Sequence, residues 1–306
     1  MSSHFEFIVA VPVAIGAAAS FGLAGFLQHQ AARLAPQSEP LRPRLLIDLM
    51  KMPKFRWSIV ISAVGFGLQV VALSFGPLAL VQPLLVTGVL FYLGFASRSL
   101  HRAPDSLLVA GALVALGGLI GFLLVARPIA GKGEFTGEAA LPLGVSLVAV
   151  VAACLYTASR LPEEFRSVPI AGATAVCYGV TAGLIRSLIT VPDVATLLGR
   201  WQLYAVIIVA PAGFLLNQNA FQEGAIGSVA VATINVGDPV VAIGVGAAWL
   251  GEDLTTGVWN TVGEILLLML MASGVLILAT RAQQVADRMR AEGLTPSEAG
   301  LGEVAG

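Results

Sequence analysis

Charge is what this sequence of 306 residues has least of: 11% of it is Asp, Glu, Lys or Arg, against 57% hydrophobic. Mean hydropathy is accordingly high, at +0.87. A soluble globule carries about 25% charged residues, so a surface built from this composition could not be kept in water. A soluble enzyme, a nucleic-acid binder and a disordered chain are excluded at the level of the whole sequence. Histidine and cysteine are scarce, with 3 and 2 residues. Cys154 and Cys177 stand alone in apolar runs, far from any CxxC or metal-ligand spacing, and read as small core residues. There is no GxxxxGK, no HExxH and no nucleophile elbow, so an ATP-driven pump within this chain is excluded and no cofactor or enzyme chemistry is implied. Lys and Arg are missing from Met1 to Glu6, where a secretory signal peptide would need them. The first hydrophobic segment is therefore expected to be a retained helix.

Long apolar runs are what the sequence does have. About 20 mostly apolar residues are needed for a helix to cross roughly 30 Å of hydrocarbon. Nine segments qualify, at roughly 7–27, 57–76, 78–97, 105–126, 140–159, 168–190, 201–219, 227–250 and 258–280. The expectation is an all-α, polytopic membrane protein with a single transmembrane domain over 1–280 and a polar, partly disordered tail over 281–306. The longest connection, Leu34 to Lys54, is basic and Pro-punctuated. Its patch Leu45-Leu46-Ile47-Asp48-Leu49-Met50 is amphipathic enough to lie along the interface.

Of the 17 Lys and Arg residues, thirteen fall on one side of these spans, three (Arg127, Lys132, Arg200) on the other, and Arg186 within a helix. Short basic loops stay in the cytoplasm, which predicts a cell-membrane protein with its N-terminus outside and its C-terminus inside. Trp57, Trp201, Trp249 and Trp259 all fall at expected helix ends, as interfacial aromatics do. Gly117/Gly121, Gly179/Gly183 and Gly244/Ala248 have the four-residue spacing that lets helices approach closely.

An internal repeat is also legible. Shifting the chain by 148 lays Ile59, Gly65, Phe66, Leu68, Ala72 and Gly76 on Ile207, Gly213, Phe214, Leu216, Ala220 and Gly224. A shift of 156 lays Pro83, Gly88, Val89 and Gly118 on Pro239, Gly244, Val245 and Gly274, and one of 157 lays Phe21-Gly22 on Tyr178-Gly179. Helices one to four (first repeat, about 7–126) thus pair with six to nine (within the second, about 140–280), and helix five, at the start of the second, is unpaired. Helix two runs outward and helix seven inward, so the repeat is inverted. Such repeats can expose a midplane site alternately to either side.

Asp238-Pro239-Val240-Val241-Ala242, Leu250-Gly251-Glu252, Leu254-Thr255 and Gly263 together resemble the acid-Pro-Val-x-Ala, Leu-Gly-Glu-x-Leu-Thr and Gly signature of the drug/metabolite transporter (EamA-like) superfamily. Phe75-Gly76-Pro77-Leu78-Ala79-Leu80-Val81-Gln82-Pro83-Leu84 and Asn217-Gln218-Asn219-Ala220-Phe221 are similar to elements of its NIPA-type magnesium transporter branch, where Lys tends to stand at the position of Arg186. Gln82 stands where that branch has Thr, and Ser97-Arg98-Ser99 where it has an acidic turn. The resemblance implies a nine-helix carrier of a small molecule or, in the second branch, of a divalent cation.

Ionisable residues inside a span are costly, about 2.5–3.5 kcal/mol on insertion scales, and are functional candidates by default. Asp238 comes first, since proline removes a backbone donor and Pro239 should free carbonyls near Ile234 and Asn235. Its carboxylate either binds a proton or cation there or caps its own kink. Glu264 either supplies a second carboxylate or snorkels toward headgroups. With Asn235, these two acids would be the minimum for Mg²⁺, which prefers octahedral oxygen. Arg186 either pairs with one of the acids, holds an anionic substrate, or reaches outward to the interface. Gln69, Gln82, Asn217 and Asn219, with neighbouring Gln218, Thr87 and Thr233, either line a cavity or bond neighbouring helices. Pro83 and Pro239 are the expected hinges. His29, between Gln28 and Gln30 at the inner end of helix one, serves either as gate or relay, or simply as an interfacial histidine. A non-transporting membrane subunit is the competing class, and the oligomeric state, a homodimer included, is open.

Overall fold

The structure is a computed structural model that describes residues 2–34, 50–99, 106–129, 137–191, 193–222, 227–253 and 257–291. All regular elements among them are helices: α1 (Ser2–Leu34), α2 (Pro53–Phe75), α3 (Leu78–Leu85), α4 (Gly88–Ser99), α5 (Ser106–Ala126), α6 (Gly137–Arg160), α7 (Glu163–Ile189), α8 (Val194–Leu198), α9 (Trp201–Gln222), α10 (Gly227–Trp249) and α11 (Val258–Ala291). Eight of them are long and apolar enough to cross a membrane. Leu124, Leu141, Val148 and Ile208 present more than half their surface outward, which only hydrocarbon tolerates over such an area. The chain is a multi-pass membrane protein.

The segment expected as a single third span, 78–97, is instead two helices. α3 runs through Pro83 and ends at Leu85; Val86 and Thr87 then turn on short three-residue bonds, the Thr87 hydroxyl donating to the Leu84 carbonyl at 2.7 Å, before α4 begins. Pro83 cannot donate to the ladder, and the break falls three residues after it. α10, by contrast, continues through Pro239 to Trp249. α2 stops at Phe75 because Gly76 is extended and Pro77 has no N–H to extend the helix. The polar stretch 283–291, expected as part of the tail, is helical as the end of α11. The amphipathic patch 45–49 and residues 292–306 lie outside the described residues, as does the side chain of His29.

α1 packs on α2, α3 and α4, while α7 packs on α9 and α10; α5 lies along α11, and α3 meets α10. α6 rests chiefly on α7 and is the least buried span. The closest crossings are at glycines. A Cβ on Gly118 would sit 2.4 Å from the Met271 nitrogen and 2.8 Å from the Leu267 carbonyl oxygen. One on Gly274 would sit 2.3 Å from the Ala115 nitrogen and 2.7 Å from the Gly111 carbonyl oxygen. Gly179 and Gly183 pack on Val241 and Val245 as their spacing suggested, but Gly117 and Gly244 face open space. Gly118, one residue and about 100° round the helix from Gly117, carries the α5 crossing instead.

Trp57, Trp201 and Trp259 are exposed at helix ends, but Trp249 is 3% exposed and belongs to the main core with Leu78, Val245 and Leu250. The chain after α10 folds back over it. Gly251 takes φ +62°, a conformation that disfavours side chains, and the N–H groups of Leu250 and Glu252 both bond the Gly246 carbonyl, at 3.1 and 3.0 Å. Asp253 then exchanges backbone hydrogen bonds with Ile129, tying the end of α10 to the end of α5.

A smaller connection is held by a cap. Asp193 accepts from the Thr196 N–H at 2.8 Å and from its hydroxyl at 2.7 Å, opening α8. The bond from the Thr196 backbone holds the exposed Asp193 carboxyl below its ordinary value. A depressed carboxyl stabilises above the ordinary carboxylate range and loses that contribution as pH falls through its own lower value. Asp193→Ala should therefore raise amide exchange at Thr196 and Leu197 at neutral pH, whereas in the native protein only acid should do so. Unchanged exchange in the variant would remove the cap's role.

Candidate functional site

The polar residues singled out in the sequence are drawn inside. Gln69, Gln82, Asn217, Gln218, Asn219, Arg186 and Glu264 are each buried to 9% exposure or less. Asp238 and Asn235 are half-buried on α10. Asp238 sits where α10 touches α7, since a Cβ on neighbouring Gly237 would meet Ala175 at 2.7 Å and one on Gly179 would meet Val241 at 2.7 Å. Tyr178 of α7 is within electrostatic reach of it. One Asp238 oxygen, Oδ1, is buried with no hydrogen-bond partner among the described residues; the same holds for Glu264 Oε1 and for both amide atoms of Gln82. A buried polar atom without a partner costs about 1–3 kcal/mol, so these are the positions poised to accept something else.

Glu264 lies on α11 beside the crossing with α5, where the adjoining Gly263 faces Val125. At 7% exposure it does not snorkel toward solvent. Among the described residues no three His, Cys, Asp or Glu side chains cluster as a metal cage would require. Two cavities border α5, and Asp238 lines neither. One is an apolar void of about 10 Å³ bounded by Val86, Thr87, Ala115 and Met271, room for a single water at most. The other is a groove of about 490 Å³ along α5, bounded by Leu80, Ile120, Leu123 and Arg127.

Arg186 neither pairs with one of the two expected acids nor reaches outward. It is buried, and its guanidinium donates to the Leu73 carbonyl in the last turn of α2. The acid it feels is neither Asp238 nor Glu264 but Glu252. Glu252 is 5% exposed and accepts from the Leu78 N–H at 2.7 Å and the Ala79 N–H at 3.2 Å, capping α3. Gly246 makes room for it: a Cβ there would lie 2.6 Å from Glu252 Oε2. Burial pushes the Glu252 carboxyl up from its ordinary value, and the N–H groups of Leu78 and Ala79, then Arg186, pull against that rise. A cation at a helix C-terminus and an anion at a helix N-terminus are each the favourable sign for the macrodipole. The Gly76-Pro77 corner is thus gripped on both flanks by opposite charges supplied from 113 and 174 residues away.

Sequence reasoning quoted Glu252 but passed over it as a functional residue, because an acid just beyond a span ordinarily reads as solvated. The available signal was the preceding Gly251, whose backbone freedom turns the side chain inward. At the opposite end of the molecule the closure is neutral: the Gln218 amide donates to Gln28 at 3.2 Å, and Gln28 donates to Ser62 at 3.3 Å. Outside it, Lys54 donates to Gln30 at 2.8 Å.

A search of family models finds no match to this chain, and no solved structure matches it. It is similar along nearly its whole length to an uncharacterized protein of Corynebacterium glutamicum, 22% identical over 288 residues that span 92% of this chain and 99% of the relative.

Proposed function

We propose that this chain is a secondary carrier of the drug/metabolite transporter type, moving a small solute across the cell membrane by alternating access, with Asp238 as its proton-exchanging group. The observation that carries the reading is a reciprocity of contacts. Gly118 meets Met271 and Leu267, while Gly274 meets Ala115 and Gly111; the shift of 156 converts one set into the other. Gly65 meets Ser20 and Phe21, while Gly213 meets Cys177 and Tyr178; shifts of 148 and 157 interconvert these. Two halves that touch each other, and themselves, through equivalent residues are what a pseudo-two-fold relation requires.

Parity supports nine crossings and an inverted relation. Arg186 at the end of α7 touches Leu73 at the end of α2, Glu252 touches Leu78, and Gln218 touches Gln28. Each pair can share a side of the membrane only if the chain between crosses an even number of times, and that holds when α3 and α4 together count as one crossing. An interrupted span of this kind is a recurrent feature of carrier sites. On this count the corner held by Arg186 and Glu252 lies on the arginine-poor, outer side.

The alternative cargo is a divalent cation, favoured by the two buried carboxylate oxygens of Asp238 and Glu264 that lack partners among the described residues. Proteoliposomes settle the matter: the carrier reading expects counterflow of an organic solute that dissipates a proton gradient. Mg²⁺ uptake driven by membrane potential without proton movement would replace it with the permease reading. Flux of neither, across amines, amino acids and Mg²⁺, would favour a non-transporting subunit.

A further inference from the structure

We propose that Glu252 and Arg186 form the gate on the arginine-poor side: together they hold the α2–α3 corner of the first half against the second, and their release opens the polar interior at Gln82 to that side. The inference rests on the carrier reading and assigns a role to two residues that reading does not use.

The grip is made entirely between halves. The corner, Leu73 through Ala79, belongs to the first, and both charges come from the second, one on α7 and one on the turn after α10. Neither contact is needed to make the bend, which Gly76 and Pro77 produce by themselves. What the charges add is a bond whose strength depends on dryness. Charge-assisted hydrogen bonds strengthen in a low-dielectric, water-free setting and weaken once water reaches them. The contact is therefore two-state by nature, firm when closed and readily lost when wetted, whereas apolar packing would change gradually.

The piece it holds is built to move. α3 spans Leu78–Leu85 and is separated from α4 by the Val86–Thr87 turn, so it can swing without carrying the rest of the span. One turn below the capped end lies Gln82, 1% exposed, with neither amide atom partnered among the described residues. Lifting the corner uncovers that amide first. At the other end the contacts among the described residues, Gln218 to Gln28 and Gln28 to Ser62, are neutral.

The test uses the full chain with Cys154→Ala and Cys177→Ala, a reporter Gln82→Cys, and a membrane-impermeant maleimide applied to either face of oriented vesicles. Glu252→Gln keeps the side chain's shape and removes its charge. Labelling from the arginine-poor side should accelerate at least about tenfold, the shift in a two-state equilibrium that losing one charge-assisted hydrogen bond implies. Labelling from the basic side should fall. Arg186→Gln should act in the same direction, and Arg186→Lys, which keeps the charge, should restore much of the native rate. Unchanged labelling in both Gln variants overturns the gate and leaves the carrier reading to its own flux assay. A rise from one side with no fall from the other supports the gate and overturns alternation. If Glu252→Gln does not yield folded protein, the Arg186 pair decides by the same criterion.

Discussion

Asp238→Asn is expected to abolish uphill solute accumulation in proteoliposomes while leaving the protein folded and monodisperse in detergent. Asparagine keeps the shape of the side chain and cannot exchange a proton, so the coupling is lost and the packing of α10 against α7 is kept. The sign of the stability change is also predicted. Insertion of an ionised Asp near the middle of a span costs about 2.5–3.5 kcal/mol, and Oδ1 has no partner among the described residues to repay it. Removing the charge should therefore leave the melting temperature unchanged or raise it. Downhill exchange of the same solute should persist, because the amide still offers a polar atom where Oδ1 now lies. Undiminished uphill flux in the variant would dismiss Asp238 as the coupling group. A collapse of folding would make it a structural cap of its own helix.

The second large effect concerns packing. Gly118→Leu or Gly274→Leu should separate α5 from α11, because a Cβ at either position falls 2.3 to 2.4 Å from a backbone nitrogen of the facing helix. A side chain can rotate away from a clash, but a backbone cannot. The cost should therefore lie at or above the top of the roughly 1–3 kcal/mol typical of overpacked cores. Gly117→Ala and Gly244→Ala are the matched controls, with nothing within 4 Å of either Cβ, and should be neutral or slightly stabilising in a helix. Thermal unfolding of the four purified variants in one detergent reads the comparison. Equal stability across all four would show that the α5–α11 crossing adjusts freely and would remove the chief contact relating the two halves.

Asp238 was conspicuous because a charge inside an apolar run violates the solvent that the run implies, a rule that needs only the sequence. The pairing of Gly118 with Gly274 was visible as a shift of 156, but not that the two residues sit on opposite sides of one helix crossing. The spacing rule pointed to Gly117 and Gly121, of which only Gly121 meets α11, at Leu267, since spacing constrains separation along a helix and not the azimuth at which a neighbour arrives. Trp249 misled for the same reason, and the two readings of Glu264 could not be separated. A tryptophan at a helix end and an acid two turns into a span both have an interfacial reading, and only the direction of the neighbouring helices turns them inward.

Glu252 marks the limit most clearly. Its role depends on Leu78, 174 residues earlier, and no local pattern carries information over that distance. By itself the sequence determined that the chain lives in a membrane, the positions of eight spans, and the residues whose charge or polarity is out of place there. Solvent imposes those properties residue by residue, so composition and period are enough. Only the tertiary structure decided that the third apolar run is two helices, that Arg186 answers Glu252 and not Asp238, and that the Gly76-Pro77 corner is held by charge. Those outcomes belong to pairs of residues, and a pair is defined by the packing that brings it together.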